Sequence, residues 1–173
     1  KGVHFLMKKN KIKVYEGFGK IKQDKILEIT NDKESFDISA NNIIIATGAR
    51  SRDIESLKKD GEKILGYRDA MTLNKQPNSM IIVGSGAIGI EFAYFYNSLG
   101  TDVTVVEFQD RIAPNEDHEI SKELEKILKK KNINILTSSK VVSSEISNDK
   151  VKVEIECKDN NLELVSDLSL IHI

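Results

Sequence analysis

The sequence predicts an α/β fold in which a parallel sheet and a helix meet at a glycine-rich turn, and three observations predict it. The first is an apolar, largely β-branched run at residues 80–83, Met-Ile-Ile-Val, which is typical of a buried parallel strand. The second is the turn that follows at residues 84–89, Gly-Ser-Gly-Ala-Ile-Gly, with GxGxxG spacing. The third is a second apolar strand at residues 103–106 that ends on an acidic residue, Glu107. Strand, glycine turn, helix and second strand are the parts of a dinucleotide-binding βαβ unit.

The three glycines of the turn have separate physical tasks. Gly84 makes the tight turn, Gly86 lets the backbone approach a pyrophosphate, and Gly89 lets the helix pack against the strand. The unpaired N–H groups and the positive dipole end of the helix point at the turn and favour phosphate there. The residues of this turn predicted to form the cofactor-binding site are Gly84, Ser85, Gly86, Ala87, Ile88 and Gly89.

Glu107 predicts which dinucleotide is bound. It lies 18 residues after Gly89, near the distance at which an acidic residue ends the second strand of such a unit. Its carboxylate would accept hydrogen bonds from the adenosine ribose hydroxyls and would repel a 2′-phosphate. The sequence therefore predicts NAD rather than NADP as the cofactor.

The part of the chain before the glycine turn reads as a second, smaller piece. The pattern predicts a helix at 2–9, a strand at 11–15, a small antiparallel meander at 25–38 and a buried strand at 43–46. A polar segment follows, with a short helix at 69–73. The predicted boundaries are 1–49 for this piece, 50–78 for the connector and 79–173 for the glycine-rich domain.

Two helices and a meander are predicted in the glycine-rich domain. The helix after the turn has a stripe of Ile88, Phe92, Phe95 and Leu99, which we expect to be buried, and ends at Gly100. A second helix begins near Asp117, with an expected buried stripe of Ile120, Leu124, Ile127 and Leu128. Strands are predicted at 133–136, 141–146, 151–156, 162–165 and 168–173. The last of these matches a strand so loosely that non-native sequence is an alternative for it.

A repeated order of predicted elements within the sequence supports a two-domain organisation. Strand, meander and apolar strand occur in that order at 12–48 and again at 133–173. Two copies of one topology predict two related nucleotide-binding domains, the first represented only by its C-terminal part. We therefore expect the chain to be an internal piece of a longer protein.

Composition narrows the classes of partner and site. With 26 basic and 27 acidic residues interspersed and a net charge of −1, the sequence indicates neither nucleic acid nor an anionic membrane as partner. No apolar run approaches the roughly 18–20 residues of a membrane span. Cys157 is the one cysteine, which excludes an internal disulfide and a paired-cysteine metal site, so we predict no metal site and a reducing, cytoplasmic compartment.

The longest signature in the sequence resembles a known family. It consists of Ile-Ile-Ile-Ala-Thr-Gly-Ala at 43–49, Tyr-Arg-Asp-Ala-Met-Thr-Leu at 67–73, the glycine turn running into Ile-Glu-Phe-Ala at 90–93, and Val-Thr-Val-Val-Glu-Phe at 103–108. In these residues, and over about 2–165, the chain resembles the FAD- and NAD-dependent disulfide oxidoreductases, and within them the dihydrolipoamide-oxidising members. The resemblance implies a Rossmann-like three-layer NAD-binding domain with a β-meander, plus the C-terminal part of a related FAD-binding domain.

The resemblance also implies roles for residues outside the glycine turn. Val141 matches a position that packs against the adenosine half of NAD, and Glu91 matches a glutamate that lies where nicotinamide meets flavin. Thr47 and Gly48 match the strand end that lies against FAD, and Gly19 matches a backbone approach to the FAD adenosine. The histidines His4, His118 and His172 match nothing catalytic.

The implied reaction belongs to a larger protein. In the family, electrons pass from dihydrolipoamide, carried by an acyltransferase subunit, to a cysteine pair, then to FAD, and then as hydride to NAD. The cysteine pair, the first FAD glycine loop and the dimerisation domain with its catalytic histidine and glutamate match no part of this sequence. We therefore expect no catalytic residue here, no turnover by the chain alone, and a homodimer formed through a missing domain.

Two other interpretations of the sequence stay open at this point. One is another NADH-dependent family member of the mercuric reductase, glutathione reductase or NADH oxidase type, although Glu107 argues against NADPH users. The other is a non-catalytic NAD-binding module, or a piece too incomplete to fold and bind.

Overall fold

The computed structural model describes residues 2–48, 51–52, 54–158 and 160–171, and the chain divides into two compact units. The first unit is Lys1–Ala49 and the second is Arg50–Ile173. Among the residues singled out above, Ala49 of the sequence signature and His172 and Ile173 of the predicted last strand lie outside the described residues.

The first unit is a helix and a small antiparallel sheet. It contains α1 (Gly2–Lys9), β1 (Phe18–Ile21), β2 (Ile26–Thr30) and β3 (Ser35–Ser39), with the strands in the order β1-β2-β3. The predicted helix and meander are therefore present. Within residues 2–48 only Ile29 is buried, so this unit has almost no core of its own.

Two strands predicted in the first unit do not form. Residues 11–15 and 43–46 have no strand structure, and the side chains of Ile44 and Ile45 are 90% and 71% exposed. A strand needs a neighbour that satisfies its backbone N–H and C=O groups. Among residues 2–48 the sheet consists of β1, β2 and β3 alone, so neither run has a partner.

A five-stranded parallel sheet forms the centre of the second unit. Its strands are β4 (Ile64–Leu65), β5 (Ser79–Val83), β6 (Asp102–Val106), β7 (Asn134–Leu136) and β11 (Leu168–Ile171), in the order β4-β11-β5-β6-β7. Every pairing in it is parallel. Counted from β5, the four strands other than β4 have the 3-2-1-4 order of a Rossmann half.

Helices cover one face of this sheet and a meander covers the other. The helices are α2 (Tyr67–Ala70), α3 (Ala87–Ser98) and α4 (His118–Lys130), and the antiparallel meander consists of β8 (Lys140–Ser147), β9 (Lys150–Glu156) and β10 (Asn161–Ser166). Alternate residues of β5 serve the two faces, because successive strand side chains point to opposite sides. Met80 and Ile82 pack in the cluster with the helices, whereas Ile81 and Val83 pack with the meander. The predicted α/β, Rossmann-like, three-layer fold class with a β-meander is confirmed.

The buried faces of both long helices match the predicted stripes only in part: Leu128 is buried, and Phe92 and Leu124 are partly buried against the same core cluster. In α3 the buried residues are Gly89, Ile90, Ala93 and Tyr96, while Phe95 and Leu99 are 53% and 52% exposed. In α4 Ser121 and Leu128 are buried, while Ile120 and Ile127 are 61% and 44% exposed. The buried residues include both small and large side chains, so residue size alone did not indicate the inner face.

The segment predicted as a connector, residues 50–78, belongs to the second unit. Its strand β4 pairs with β11, and the side chain of Leu57 is fully buried. Ser56 also joins this segment to the meander, since its hydroxyl donates to the Val141 carbonyl at 3.0 Å and its carbonyl accepts from the Ser144 hydroxyl at 2.8 Å. The short helix predicted at 69–73 begins two residues earlier, at Tyr67.

The last described strand, β11, lies inside the sheet between β4 and β5. Leu168 pairs with Met80, and Leu170 pairs with both Ile82 and Leu65. Leu168, Leu170 and Ile171 are 8%, 0% and 0% exposed. Residues 168–171 are therefore a well-packed part of the fold, and the alternative of non-native sequence is wrong for them.

Asp167 fixes the entry to β11 and makes stability depend on pH. Its Oδ2 accepts from the Asn78 backbone N–H at 2.8 Å and from the Asn78 amide at 3.0 Å. The Asn78 N–H bond, with help from the Asn78 amide, Lys150 and the Ser79 backbone, outweighs partial burial and lowers the pKa of Asp167 below 3.8. A carboxylate whose pKa is lower in the folded state adds stability above its unfolded pKa and loses it as pH falls through the folded pKa.

Asp167→Asn is expected to lower the free energy of unfolding by about 1 kcal/mol at pH 7, since bonds to a charged group become bonds to a neutral one. The difference from the parent chain should shrink below about pH 4 and vanish once the parent carboxyl is protonated. Urea unfolding at pH 7 and at pH 3 measures it, with Asp32→Asn on an exposed turn as the control. A deficit that is the same at both pH values would contradict this account.

Candidate functional site

The glycine turn lies at the carboxyl end of β5, where the strand order reverses between β6 and β11. Ligands of open α/β sheets bind at such a switch point. Gly84 has a φ of +102°, a conformation that disfavours any side chain, and its N–H donates to the Val106 carbonyl at 2.9 Å. The turn is thus fixed to the end of β6, which carries Glu107.

Gly86 leaves open space in front of the helix. It is the N-cap of α3, and no atom lies within 4 Å of the position that a Cβ would occupy there. The first turn of α3 contains no acidic residue, and the N–H groups that begin a helix have no acceptor within it. A Cβ at Gly86 would fill this open space next to the N–H groups that begin the helix, so this end of the helix fits a pyrophosphate.

Gly89 has the packing task predicted for it. A Cβ on this residue would overlap the Gly84 carbonyl oxygen and lie 3.1 Å from the Gly84 carbonyl carbon. The contact is with backbone, which cannot swing away as a flexible side chain could. Glycine is therefore required here for the helix to approach the strand end.

Glu107 lies beside the glycine turn and is 7% exposed. Its Oε2 accepts from the Ser85 N–H at 2.8 Å and from the Ser85 hydroxyl at 2.6 Å. Its Oε1 accepts from the Gln109 N–H at 2.8 Å. Three donors thus hold the carboxylate, and Oε1 keeps one acceptor position.

The loop that follows β6 is tied to the same turn. The Ala113 N–H donates to the Ser85 carbonyl at 2.9 Å, and the Ser121 hydroxyl of α4 donates to the Ala113 carbonyl at 3.1 Å. Ile112, which directly precedes Ala113, is fully buried. The N–H, carbonyl and hydroxyl of Ser85 are therefore all bonded to residues 107–113.

Arg111 places a cation in this loop. Its Nη2 donates to the Pro114 carbonyl at 2.9 Å and its Nη1 lies 3.5 Å from an Asp110 carboxylate oxygen. Its Nε is buried without a hydrogen-bond partner. The guanidinium is mainly engaged with its own loop.

Sequence reasoning missed the bonds that Ser85 and Gln109 donate to Glu107, and the bond that Ala113 donates to Ser85. Ser85 and Glu107 are 22 residues apart, and their bond depends on side-chain rotamers that no spacing rule encodes. The one available signal was the hydroxyl-bearing residue inside the glycine turn. That signal indicates no particular partner.

Glu91 and Val141 occupy different surroundings from the turn. Glu91 is exposed on α3, and its carboxylate has no hydrogen bond or ion pair within the part of the chain that the structure describes. Val141 is 5% exposed and packs in the cluster between the sheet and the meander. That Glu91 contacts nicotinamide and that Val141 contacts adenosine both stay predictions.

The residues predicted to face FAD lie in the first unit. Gly19 is exposed in β1, and a Cβ there would lie 3.5 Å from Leu27, an ordinary contact, so the unit itself does not require glycine. Thr47 and Gly48 are exposed, and Gly48 has a φ of +77°. Their contact with FAD stays a prediction.

Neither a metal site nor a membrane span is found in the described ranges. No three His, Cys, Asp or Glu side chains among them are grouped so that they could hold a metal ion. None of the described helices is long and apolar enough to cross a membrane. Cys157 is half-buried, with its sulfur 3.3 Å from the Ser139 hydroxyl.

The strand order, the glycine turn and the acid beside it define a dinucleotide-binding domain of the Rossmann type. The family model described as pyridine nucleotide-disulphide oxidoreductase matches residues 1–173, and the chain belongs to that family. The family uses FAD and NAD.

Curated relatives and solved structures agree with this assignment. The chain is 40% identical to dihydrolipoyl dehydrogenase of Bacillus subtilis over 166 residues, which are 91% of this chain and 35% of that protein. It is 43% identical to the enzyme of the same name from Mycobacterium bovis over 143 residues, 82% of this chain and 31% of that one. The crystal structure of LpdA from Mycobacterium tuberculosis superposes with a TM-score of 0.83 at 26% identity, covering 99% of this chain and 38% of that chain. This chain thus spans about a third of the length of the curated relatives it matches.

Proposed function

We propose that this chain is the NAD-binding part of a flavoprotein disulfide oxidoreductase of the dihydrolipoyl dehydrogenase type, with residues 1–49 supplying part of an FAD-binding wall. The observation that carries the proposal is the pairing of open space at Gly86 with the nearly buried Glu107 carboxylate beside the same turn. The first fits a pyrophosphate and the second fits a ribose hydroxyl, which belong to neighbouring groups of NAD. Identities of 38–43% to proteins named dihydrolipoyl dehydrogenase support the particular type over other family members.

The residues of the turn would bind the cofactor through backbone rather than through charged side chains. The N–H groups of Ala87, Ile88 and Gly89 begin α3 and would donate to pyrophosphate oxygens, with the helix dipole adding to the attraction. The free acceptor position of Glu107 Oε1 would take a ribose hydroxyl. A 2′-phosphate at that place would meet a carboxylate of like charge, and this repulsion favours NAD over NADP.

In the whole protein the reaction would be the oxidation of dihydrolipoamide by NAD⁺ to give lipoamide, NADH and a proton. NAD would be the hydride acceptor, and this chain would bind and orient it. Glu91, exposed on α3, would lie on the nicotinamide side. We further propose that the lipoamide is carried by an acyltransferase subunit. The whole protein would be a homodimer located in the cytoplasm.

The chain is expected to bind NADH, and Gly86→Ala is expected to weaken that binding at least about tenfold, which corresponds to about 1.4 kcal/mol. The added methyl would occupy the space in front of the helix N-terminus but would meet no atom of the chain within 4 Å. The thermal midpoint should therefore change by only a few degrees, the cost of alanine at an N-cap. Fluorescence titration with NADH and thermal unfolding measure the two effects.

Gly2→Ala is the matched control, because a Cβ at Gly2 also meets no atom within 4 Å and lies in the other unit. It should leave both the NADH affinity and the unfolding of the second unit unchanged. A parent chain that is folded but shows no saturable NADH binding would refute the proposed function.

A further inference from the structure

We propose that Ser85 is a positioning residue for NAD discrimination: its hydroxyl orients the Glu107 carboxylate toward the ribose, although the Ser85 side chain itself touches no cofactor atom. This inference rests on the proposed function. It assigns the selectivity of the site to a pair of residues rather than to the acid alone.

The geometry leaves the Ser85 side chain no access to a ligand. Ser85 is 0% exposed, and its hydroxyl lies 2.6 Å from Glu107 Oε2. Its N–H bonds the same oxygen at 2.8 Å, and its carbonyl accepts from the Ala113 N–H. All polar groups of Ser85 are thus used inside the protein, so its contribution must pass through Glu107.

The two oxygens of the Glu107 carboxylate have different hydrogen-bond partners and therefore different roles. Oε2 accepts two donors from Ser85 and is saturated, whereas Oε1 accepts one donor, from Gln109, and keeps one position. Ser85, together with the Gln109 N–H, therefore determines which oxygen is available to the ribose and how the carboxylate is oriented. Orientation fixed before the ligand arrives raises affinity because less freedom is lost on binding.

Ser85→Ala removes the hydroxyl alone and keeps the backbone bonds. The carboxylate then loses one of the two donors that hold Oε2 and is oriented less firmly, by the Ser85 and Gln109 N–H groups alone. We expect the Kd for NADH to rise about three- to tenfold, while the Kd for NADPH, whose phosphate the carboxylate already repels, changes less than about twofold. The preference for NADH over NADPH should fall accordingly.

A double-mutant cycle separates positioning from general damage. In a Glu107→Gln background, Ser85→Ala should change the NADH Kd by less than about twofold, since the charged group it orients is gone. Ser166→Ala is the matched control: Ser166 is 2% exposed, and its hydroxyl donates to the Leu168 carbonyl at 2.7 Å. This bond lies at the amino end of β11, whereas the turn follows the carboxyl end of the neighbouring strand β5. It should leave the ratio of NADH to NADPH affinity unchanged.

The coupling between Ser85 and Glu107 is also measured independently of binding. For this, the parent chain, the two single variants and the double variant are unfolded without nucleotide. An NADH Kd for Ser85→Ala that equals that of Ser166→Ala, or an undiminished effect in the Glu107→Gln background, overturns the inference and leaves the proposed function standing. A folded parent chain that binds no NADH overturns the proposed function. If Ser85 and Glu107 are coupled in unfolding but not in NADH binding, the pair is purely structural, and the positioning role is overturned as well.

Discussion

Glu107→Arg is expected to weaken NADH binding about 10- to 100-fold and to reverse the preference in favour of NADPH. The ribose hydroxyls would lose a charged acceptor, a loss of about 1.5–3 kcal/mol per bond. The guanidinium would in turn attract the 2′-phosphate that the carboxylate repels. The exchange also has a structural cost, because the N–H and hydroxyl of Ser85 would lose their shared acceptor in a nearly buried place.

Calorimetric titration of NADH and NADPH into the two chains measures the switch. Glu62→Arg, at an exposed position, reproduces the change of charge away from the site and should alter neither affinity by more than about twofold. Adding Ser85→Ala to Glu107→Arg should restore part of the lost stability, since it removes one of the two orphaned donors. An unchanged NADH preference in Glu107→Arg would mean that this acid does not bind the ribose.

A chain that ends at Val165 is expected to lose cooperative unfolding of the second unit, whereas a chain that ends at Ile171 keeps it. The shorter chain lacks β11, which lies between β4 and β5 and is the pairing partner of both. Its three large apolar side chains contribute about 1.5–3 kcal/mol each through burial. Their sum is comparable with the roughly 5–15 kcal/mol that stabilises a whole domain.

Circular dichroism during urea unfolding distinguishes the two chains. Leu170→Ala, a milder change at a fully buried position, should lower the free energy of unfolding by about 2–5 kcal/mol without abolishing the transition. Val165→Ala, at a side chain that is 54% exposed, should cost less than about 1 kcal/mol. A sharp, unshifted transition in the chain that ends at Val165 would show that β11 is dispensable.

The glycine turn was the most predictable part of this molecule. Gly84 and Gly89 are required by backbone geometry, and a requirement of that kind leaves a fixed spacing in the sequence. The strand that ends at Glu107 was predictable because parallel strands buried on both faces are continuous apolar runs. These features are local, and local patterns are what a sequence displays directly.

The failures share a dependence on distant neighbours. The run at 43–46 is apolar enough for a buried strand, yet no strand among residues 2–48 lies beside it. Phe95 is larger than Ala93, yet Phe95 is 53% exposed and Ala93 is fully buried. The Ser85–Glu107 bond joins positions 22 residues apart through side-chain rotamers. Only the assembled structure determines such contacts.

The position of β11 also has a consequence for how the second unit is synthesised. A ribosome adds about 5–20 residues per second, and domains generally fold as units once they are complete. β5 and β6 are translated long before β11, so β5 waits with one edge unpaired until residues 168–171 emerge. An unpaired apolar edge can recruit another chain. We therefore expect nascent second units to need chaperone protection until residues 168–171 leave the exit tunnel. Pauses in translation just upstream of these residues should promote aggregation.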